Sequence, residues 1–192
     1  KLSPEILTLD IEMPKMNGLI FLKKLMAEKP MKVVLVSSMN ISVFDALHAG
    51  AVDFVKKPTM TSQNDLQIFF RELISKIKIA SIANLKTNMA IRKLAISNQN
   101  SPKLDVISTQ KIIAIGASTG GTEATLQILK SLPVEIPCIL VTQHMPVGFT
   151  KMYADRLNKI CNIEVREAKN GDRLKTGLAL IAPGDYHMKL LK

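Results

Sequence analysis

The 192-residue sequence predicts an α/β chain of two doubly wound parallel-sheet domains joined by a linker. Three observations predict this. Short apolar runs alternate with helical patterns, which implies parallel strands with crossover helices. The alternation breaks off in a polar, basic stretch and then restarts. Each half places chemically reactive residues where strands end, the edge at which open α/β sheets bind ligands.

In the first half, residues 6–9 and 32–38 read as buried strands and 52–55 as a third, short one. Residues 19–28 and 43–49 carry helical patterns between them. A longer helix starts near Asp65, with an apolar stripe through Leu66, Phe69, Phe70, Leu73, Ile74 and Ile77. From Arg71 to Lys111 eight basic residues face only Glu72 and Asp105, and Ser97-Asn98-Gln99-Asn100-Ser101-Pro102 favours neither helix nor strand. Residues 84–109 therefore read as an interdomain linker between a first domain, 1–83, and a second, 110–192. In the second, 111–115, 138–142, 163–167 and 178–182 read as strands, 122–132 and 149–160 as helices, and Asn170-Gly171-Asp172 as a turn.

Composition narrows the classes. Apolar residues form 47% of the chain, enough to bury a core and to argue against wholesale disorder. No apolar run approaches the roughly eighteen residues of a membrane helix, so no membrane insertion is expected. Lys1-Leu2-Ser3-Pro4 does not read as a signal peptide. Two cysteines, Cys138 and Cys161, suggest a reducing, cytoplasmic setting rather than a disulfide scaffold. The net charge of +10 raises nucleic acid as a partner. Against it, +6 of that charge lies between Arg71 and Lys111, in and around the linker, and no helix-turn-helix follows Lys111.

Asp10 ends the first strand and is followed by Glu12-Met13-Pro14-Lys15-Met16-Asn17-Gly18, a loop stiffened by Pro14 and turned by Gly18. Ser37 ends the second strand, and Lys57 follows the third, ahead of Pro58. An acid, a hydroxyl and an ammonium on one sheet edge suit a carboxylate that accepts a phosphoryl group, with Ser37 and Lys57 holding its oxygens. Leu9-Asp10, Met13-Pro14-x-Met16-Asn17-Gly18, Val36-Ser37 and Lys57-Pro58 resemble the receiver domain of bacterial response regulators, over about residues 5–80. The resemblance implies a flavodoxin-like fold, Asp10 as phosphoacceptor, and a Mg²⁺ ion held by Asp10 and the main-chain carbonyl of Glu12. Receivers also carry an acidic pair that this chain does not show, so the Mg²⁺ site is expected to be incomplete and phosphorylation poor or absent.

In the second half, Ile112–Ile115 runs into Gly116-Ala117-Ser118-Thr119-Gly120-Gly121 and then a helix. A G-x-S-x-G between strand and helix can expose a serine hydroxyl beside main-chain N–H donors. The rival is a dinucleotide loop, but Ser118 replaces its second glycine, and the next strand ends in Gln143-His144 rather than in an acid. His144 lies 26 residues after Ser118. If their strands are neighbours, about 4.8 Å apart, the imidazole can take the serine proton. His48, in a helical pattern, and His187, in a turn, read as ordinary structural histidines. Asp155, Asp172 and Asp185 all follow His144, and none stands out as the acid of a triad.

Ile115-Gly116-Ala117-Ser118-Thr119-Gly120-Gly121-Thr122-Glu123, Gln143-His144-Met145-Pro146 and Ile181-Ala182-Pro183-Gly184-Asp185 resemble the chemotaxis protein-glutamate methylesterases, a receiver joined to a Rossmann-like serine hydrolase. The resemblance spans nearly the whole chain. It implies hydrolysis of glutamyl methyl esters on chemoreceptors, deamidation of receptor glutamines, and no cofactor for the ester step. It makes Ser118 the nucleophile and His144 the base, with Thr119, Gly120 and Gly121 in the active-site loop. It further implies that the unphosphorylated receiver covers the active site until a chemotaxis histidine kinase phosphorylates Asp10. The triad aspartate of that family lies further along than Lys192, as does half of the catalytic sheet, and loss of such a residue costs roughly 10⁴-fold in turnover, so the chain as given is expected to be inactive in ester turnover.

Overall fold

The computed structural model describes residues 3–38, 42–58, 62–83 and 111–191. The chain divides into two compact units, Lys1–Leu94 and Ala95–Lys192. The expected linker, 84–109, lies outside the described residues.

The first unit runs β1 (Ile6–Asp10), α1 (Gly18–Glu28), β2 (Lys32–Ser37), α2 (Ser42–Ala49), β3 (Asp53–Lys56) and α3 (Gln63–Ile82). Its sheet is parallel throughout, in the order β1-β2-β3. Val33, Val34 and Leu35 are successive and all fully buried, as in a strand covered on both faces. Chain order explains the covering. Both crossovers step in the same direction, and right-handed connections then put α1 and α2 on one face, where they pack together. α3 follows the last strand and returns across the other face, where Phe69, Leu73, Ile77 and Ala80 meet Val34 and Val55. α1 is capped by the Asn17 side chain, which accepts the Leu19 N–H at 2.8 Å. α3 opens with a Ser62–Asp65 capping box.

The second unit runs β4 (Ile112–Ala117), α4 (Gly121–Ser131), β5 (Cys138–Gln143), α5 (Phe149–Ile160), β6 (Glu164–Glu167) and β7 (Leu178–Ile181). Its parallel sheet has the order β4-β5-β7-β6. β4 to β5 and β5 to β6 step the same way, so both helices fall on one face, and the return from β6 to β7 is a loop. The opposite face of β4, carrying Ile112, Ala114 and Gly116, is exposed, while Cys138, Leu178 and Leu180 on that side are covered by Ala168, Leu174 and Met188. Among the described residues β1 and β4 each pair on one side only, which leaves open edges.

Candidate active site

The first unit brings Asp10 and Lys57 into direct contact. Lys57 Nζ donates to Asp10 Oδ2 at 2.5 Å, and the Glu12 N–H donates to Asp10 Oδ1 at 3.0 Å. β1 carries Asp10 to the sheet edge, and the Lys57 N–H bonds the Ser37 carbonyl at 2.9 Å, which extends the β2–β3 pairing to the same edge. Partial burial pushes the Asp10 carboxyl up. The Lys57 ammonium and the Glu12 and Ile11 N–H groups outweigh it and hold the pKa below the usual aspartate value. Ser37 ends β2. It is fully buried, and its Oγ has no hydrogen-bond partner among the described residues. Its neighbour Ser38 instead approaches Glu12, Oγ to Oε2, at 3.5 Å.

These residues do not by themselves make a magnesium site. Both Asp10 oxygens already hold donors. No group of three or more acidic, His or Cys side chains is assembled among the described residues. A hard divalent cation wants about six oxygen ligands, more than one carboxylate and the Glu12 carbonyl supply.

The second unit aligns Ser118 with His144. β4 and β5 pair in parallel so that Ala117 faces Gln143, and one residue further the His144 N–H donates to the Ala117 carbonyl at 3.1 Å. The strand ends that release Ser118 and His144 are therefore adjacent, and both residues are exposed. After Ser118 the chain turns through Thr119 and Gly120. The φ of +75° at Gly120 suits glycine, and the Gly121 N–H closes the turn on the Ser118 carbonyl at 2.7 Å. Gly121 is forced by packing, because a Cβ there would sit 2.4 Å from Gln143 Oε1 and 2.6 Å from Ala117 Cβ. The turn delivers the N-terminus of α4, with its positive dipole end, beside the serine.

Two supports escaped sequence reasoning. Gln143 is buried, and its Nε2 donates to the Ser118 carbonyl at 2.9 Å. The Tyr153 hydroxyl, from α5, donates to the Thr122 carbonyl in the first turn of α4 at 2.7 Å. Gln143 stands in the Gln143-His144-Met145-Pro146 motif, which does not announce a contact with the Ser118 carbonyl, and Tyr153 stands in no motif quoted above. The three downstream aspartates have other engagements or settings. Asp155 pairs with Lys151 at 3.0 Å, Asp172 pairs with Arg166 at 2.5 Å, and Asp185 is exposed at a φ of +64°. His48 lies on α2 and His187 in the exposed segment after β7.

Comparison with known families decides what these edges belong to. Residues 1–69 match the response regulator receiver domain, and residues 113–192 match the CheB methylesterase. The chain thus joins a receiver-family region to a CheB methylesterase-family region. The protein-glutamate methylesterase/protein-glutamine glutaminase 2 of Syntrophomonas wolfei is 50% identical over 190 residues, 99% of this chain and 54% of its own length. The corresponding protein of Syntrophotalea carbinolica is 46% identical over 198 residues, 100% of this chain and 56% of its own. Among solved structures, the catalytic domain of Thermotoga maritima CheB methylesterase is 46% identical over 42% of this chain and 43% of its own, with a TM-score of 0.40. The chain spans about half the length of the curated relatives it matches. Among the described residues, no helix is long and apolar enough to cross a membrane.

Proposed function

We propose that the chain belongs to a phosphorylation-regulated protein-glutamate methylesterase that also deamidates protein glutamine, acting on chemoreceptors in the cytoplasm. The observation that carries this reading is the His144 N–H to Ala117 carbonyl bond, which sets Ser118 and His144 side by side at an exposed strand edge. Exposure suits a substrate presented on another protein's surface. Ser118 Oγ attacks the glutamyl ester carbonyl while His144 takes its proton, and the N–H groups opening α4 receive the developing oxyanion. Collapse expels methanol, protonated by His144. Water, deprotonated by the same imidazole, then releases glutamate and restores the serine. With a glutamine substrate the leaving group is ammonia, and the residue roles are unchanged. No cofactor is needed for these steps.

In the same proposal Asp10 accepts a phosphoryl group from a histidine kinase, and Lys57, already on Asp10, moves to the new oxygens. Ser37 offers the buried hydroxyl nearby, and the magnesium expected for receivers requires ligands beyond the residues described. Nucleic acid has no place in the scheme.

The test is covalent capture, which requires one reaction event per molecule. A fluorophosphonate should label the chain at Ser118: Oγ bonds to phosphorus, fluoride leaves, and the proton passes to His144. Ser118→Ala should abolish labelling, and His144→Gln should slow it at least 100-fold, within the range of a lost general base. Labelling that survives Ser118→Ala refutes the assignment.

A further inference from the structure

We infer that Gln143 is a positioning residue for Ser118, its side-chain amide tying the nucleophile's main chain to the strand that carries the base. This rests on the esterase reading above. Gln143 ends β5 and pairs in register with Ala117, so both side chains point to the helix-covered face. There Nε2 donates to the Ser118 carbonyl at 2.9 Å and lies 3.5 Å from the His144 carbonyl. Together with the His144 N–H bond to the Ala117 carbonyl, it laces the two strand ends at consecutive residues.

The Ser118 carbonyl also accepts the Gly121 N–H at 2.7 Å. Its two donors do different work. Gly121 shapes the turn within its own strand-to-helix connection. Gln143, from its side chain, fixes that turn against β5 and so against His144. Catalytic groups lose effectiveness steeply when misplaced by an ångström, which gives such a tie a kinetic consequence.

The other half of the amide argues that packing is not its purpose. Gln143 Oε1 is buried with no hydrogen-bond partner among the described residues, in the space a Cβ on residue 121 would enter. A half-satisfied buried amide is a poorer core group than an apolar chain of the same length. Methionine would fill that volume without an orphaned acceptor, and the Ser118 carbonyl would keep its Gly121 bond. Stability and serine reactivity should therefore separate at this position.

The experiment compares fluorophosphonate labelling and thermal unfolding of the 192-residue chain and its variants. Gln143→Met should unfold within about 3 °C of the parent or above it, yet label Ser118 about tenfold more slowly, the effect of one lost hydrogen bond. Gln143→Glu adds a pH signature. As a carboxylate it has no proton to give the Ser118 carbonyl; as an acid it regains a donor. Its labelling rate relative to the parent should therefore rise as pH falls from 8 to 5.5. Gln143→Met labelling within twofold of the parent, or a flat Gln143→Glu ratio, overturns the inference. If the parent itself labels no faster than Ser118→Ala, the esterase reading fails, and amide exchange decides the positioning claim. Faster exchange over residues 112–124 in Gln143→Met then supports the tie, and unchanged exchange overturns it.

Discussion

Lys76 reaches from α3 into the core of the first unit, where its Nζ meets Asp53 Oδ1 at 3.2 Å and the Phe54 carbonyl at 2.7 Å. Both charged residues are buried, at 6% and 8% exposure. The ammonium also lies 5.1 Å from the centre of the Phe54 ring and 3.4 Å from Glu72 Oε1. Taking the pair out of water is expensive, and only good geometry with further hydrogen bonds returns that cost. Removing one partner should hurt most. Asp53→Ala is expected to destabilise the first unit by about 3–5 kcal/mol. The Asp53→Leu/Lys76→Met double variant should lose less than Asp53→Ala. Hydrogen exchange of the β3 amides in a urea series measures both, and a loss below about 1 kcal/mol for Asp53→Ala would make the pair a spectator.

Two glycines at motif positions should respond oppositely to alanine. A Cβ on Gly18 would lie 2.0 Å from the Asp10 carbonyl oxygen and 2.8 Å from Ile11 Cα, both main chain. Gly18→Ala must displace either α1 or the strand end bearing Asp10, and a loss of about 3 kcal/mol or failure of the unit to fold is expected. Gly116, although it opens the G-x-S-x-G sequence, has no atom within 4 Å of a built Cβ. Gly116→Ala should stay within about 0.5 kcal/mol of the parent in chemical unfolding.

The Asp10–Lys57 contact sets a direction for pH dependence. Because the folded pKa of Asp10 lies below its unfolded value, its contribution to stability is present above about 3.9 and is lost as pH falls through the folded pKa. Both side chains are about one-third exposed, so solvent screening keeps that contribution small. Lys57→Met should raise the Asp10 pKa in a carboxyl ¹³C titration. An unchanged pKa would mean that the Glu12 and Ile11 N–H groups alone hold the carboxylate.

Tyr153 anchors α4 from α5, and burial pushes its phenol pKa up. A phenol that resists ionisation when folded costs stability as pH rises above its unfolded value of about 10. Tyr153→Phe should lower stability at pH 7 by about 1 kcal/mol, the value of a buried hydrogen bond. It should also flatten the alkaline decline in stability. Urea midpoints at pH 7 and pH 10.5 test both effects, and a parallel shift at the two pH values would contradict the second.

The element order was legible because periodicity is local. Residues 149–160 were expected to be helical, and α5 spans Phe149–Ile160. β2 was expected over 32–38 and ends at Ser37. Asp10, Ser118 and His144 were legible as strand-end residues, since a strand's end can be read from its own composition. Ser37 was legible as a position but not as an environment. Whether its hydroxyl faces solvent or core depends on what packs beside it.

The sequence by itself determined two α/β units, the basic segment between them, and the strand ends that carry the acid, the serine and the histidine. Tertiary structure alone decided which of those groups touch. Lys57 reaches Asp10 because β1 and β3 flank β2 at compatible register. Gln143 reaches Ser118 because the β4–β5 register sets Ala117 opposite Gln143. It also left one face of β4 uncovered among the described residues, because successive right-handed crossovers in one direction stack their helices on a single side. Strand order and register come from pairing between distant segments, and local periodicity carries no record of that choice.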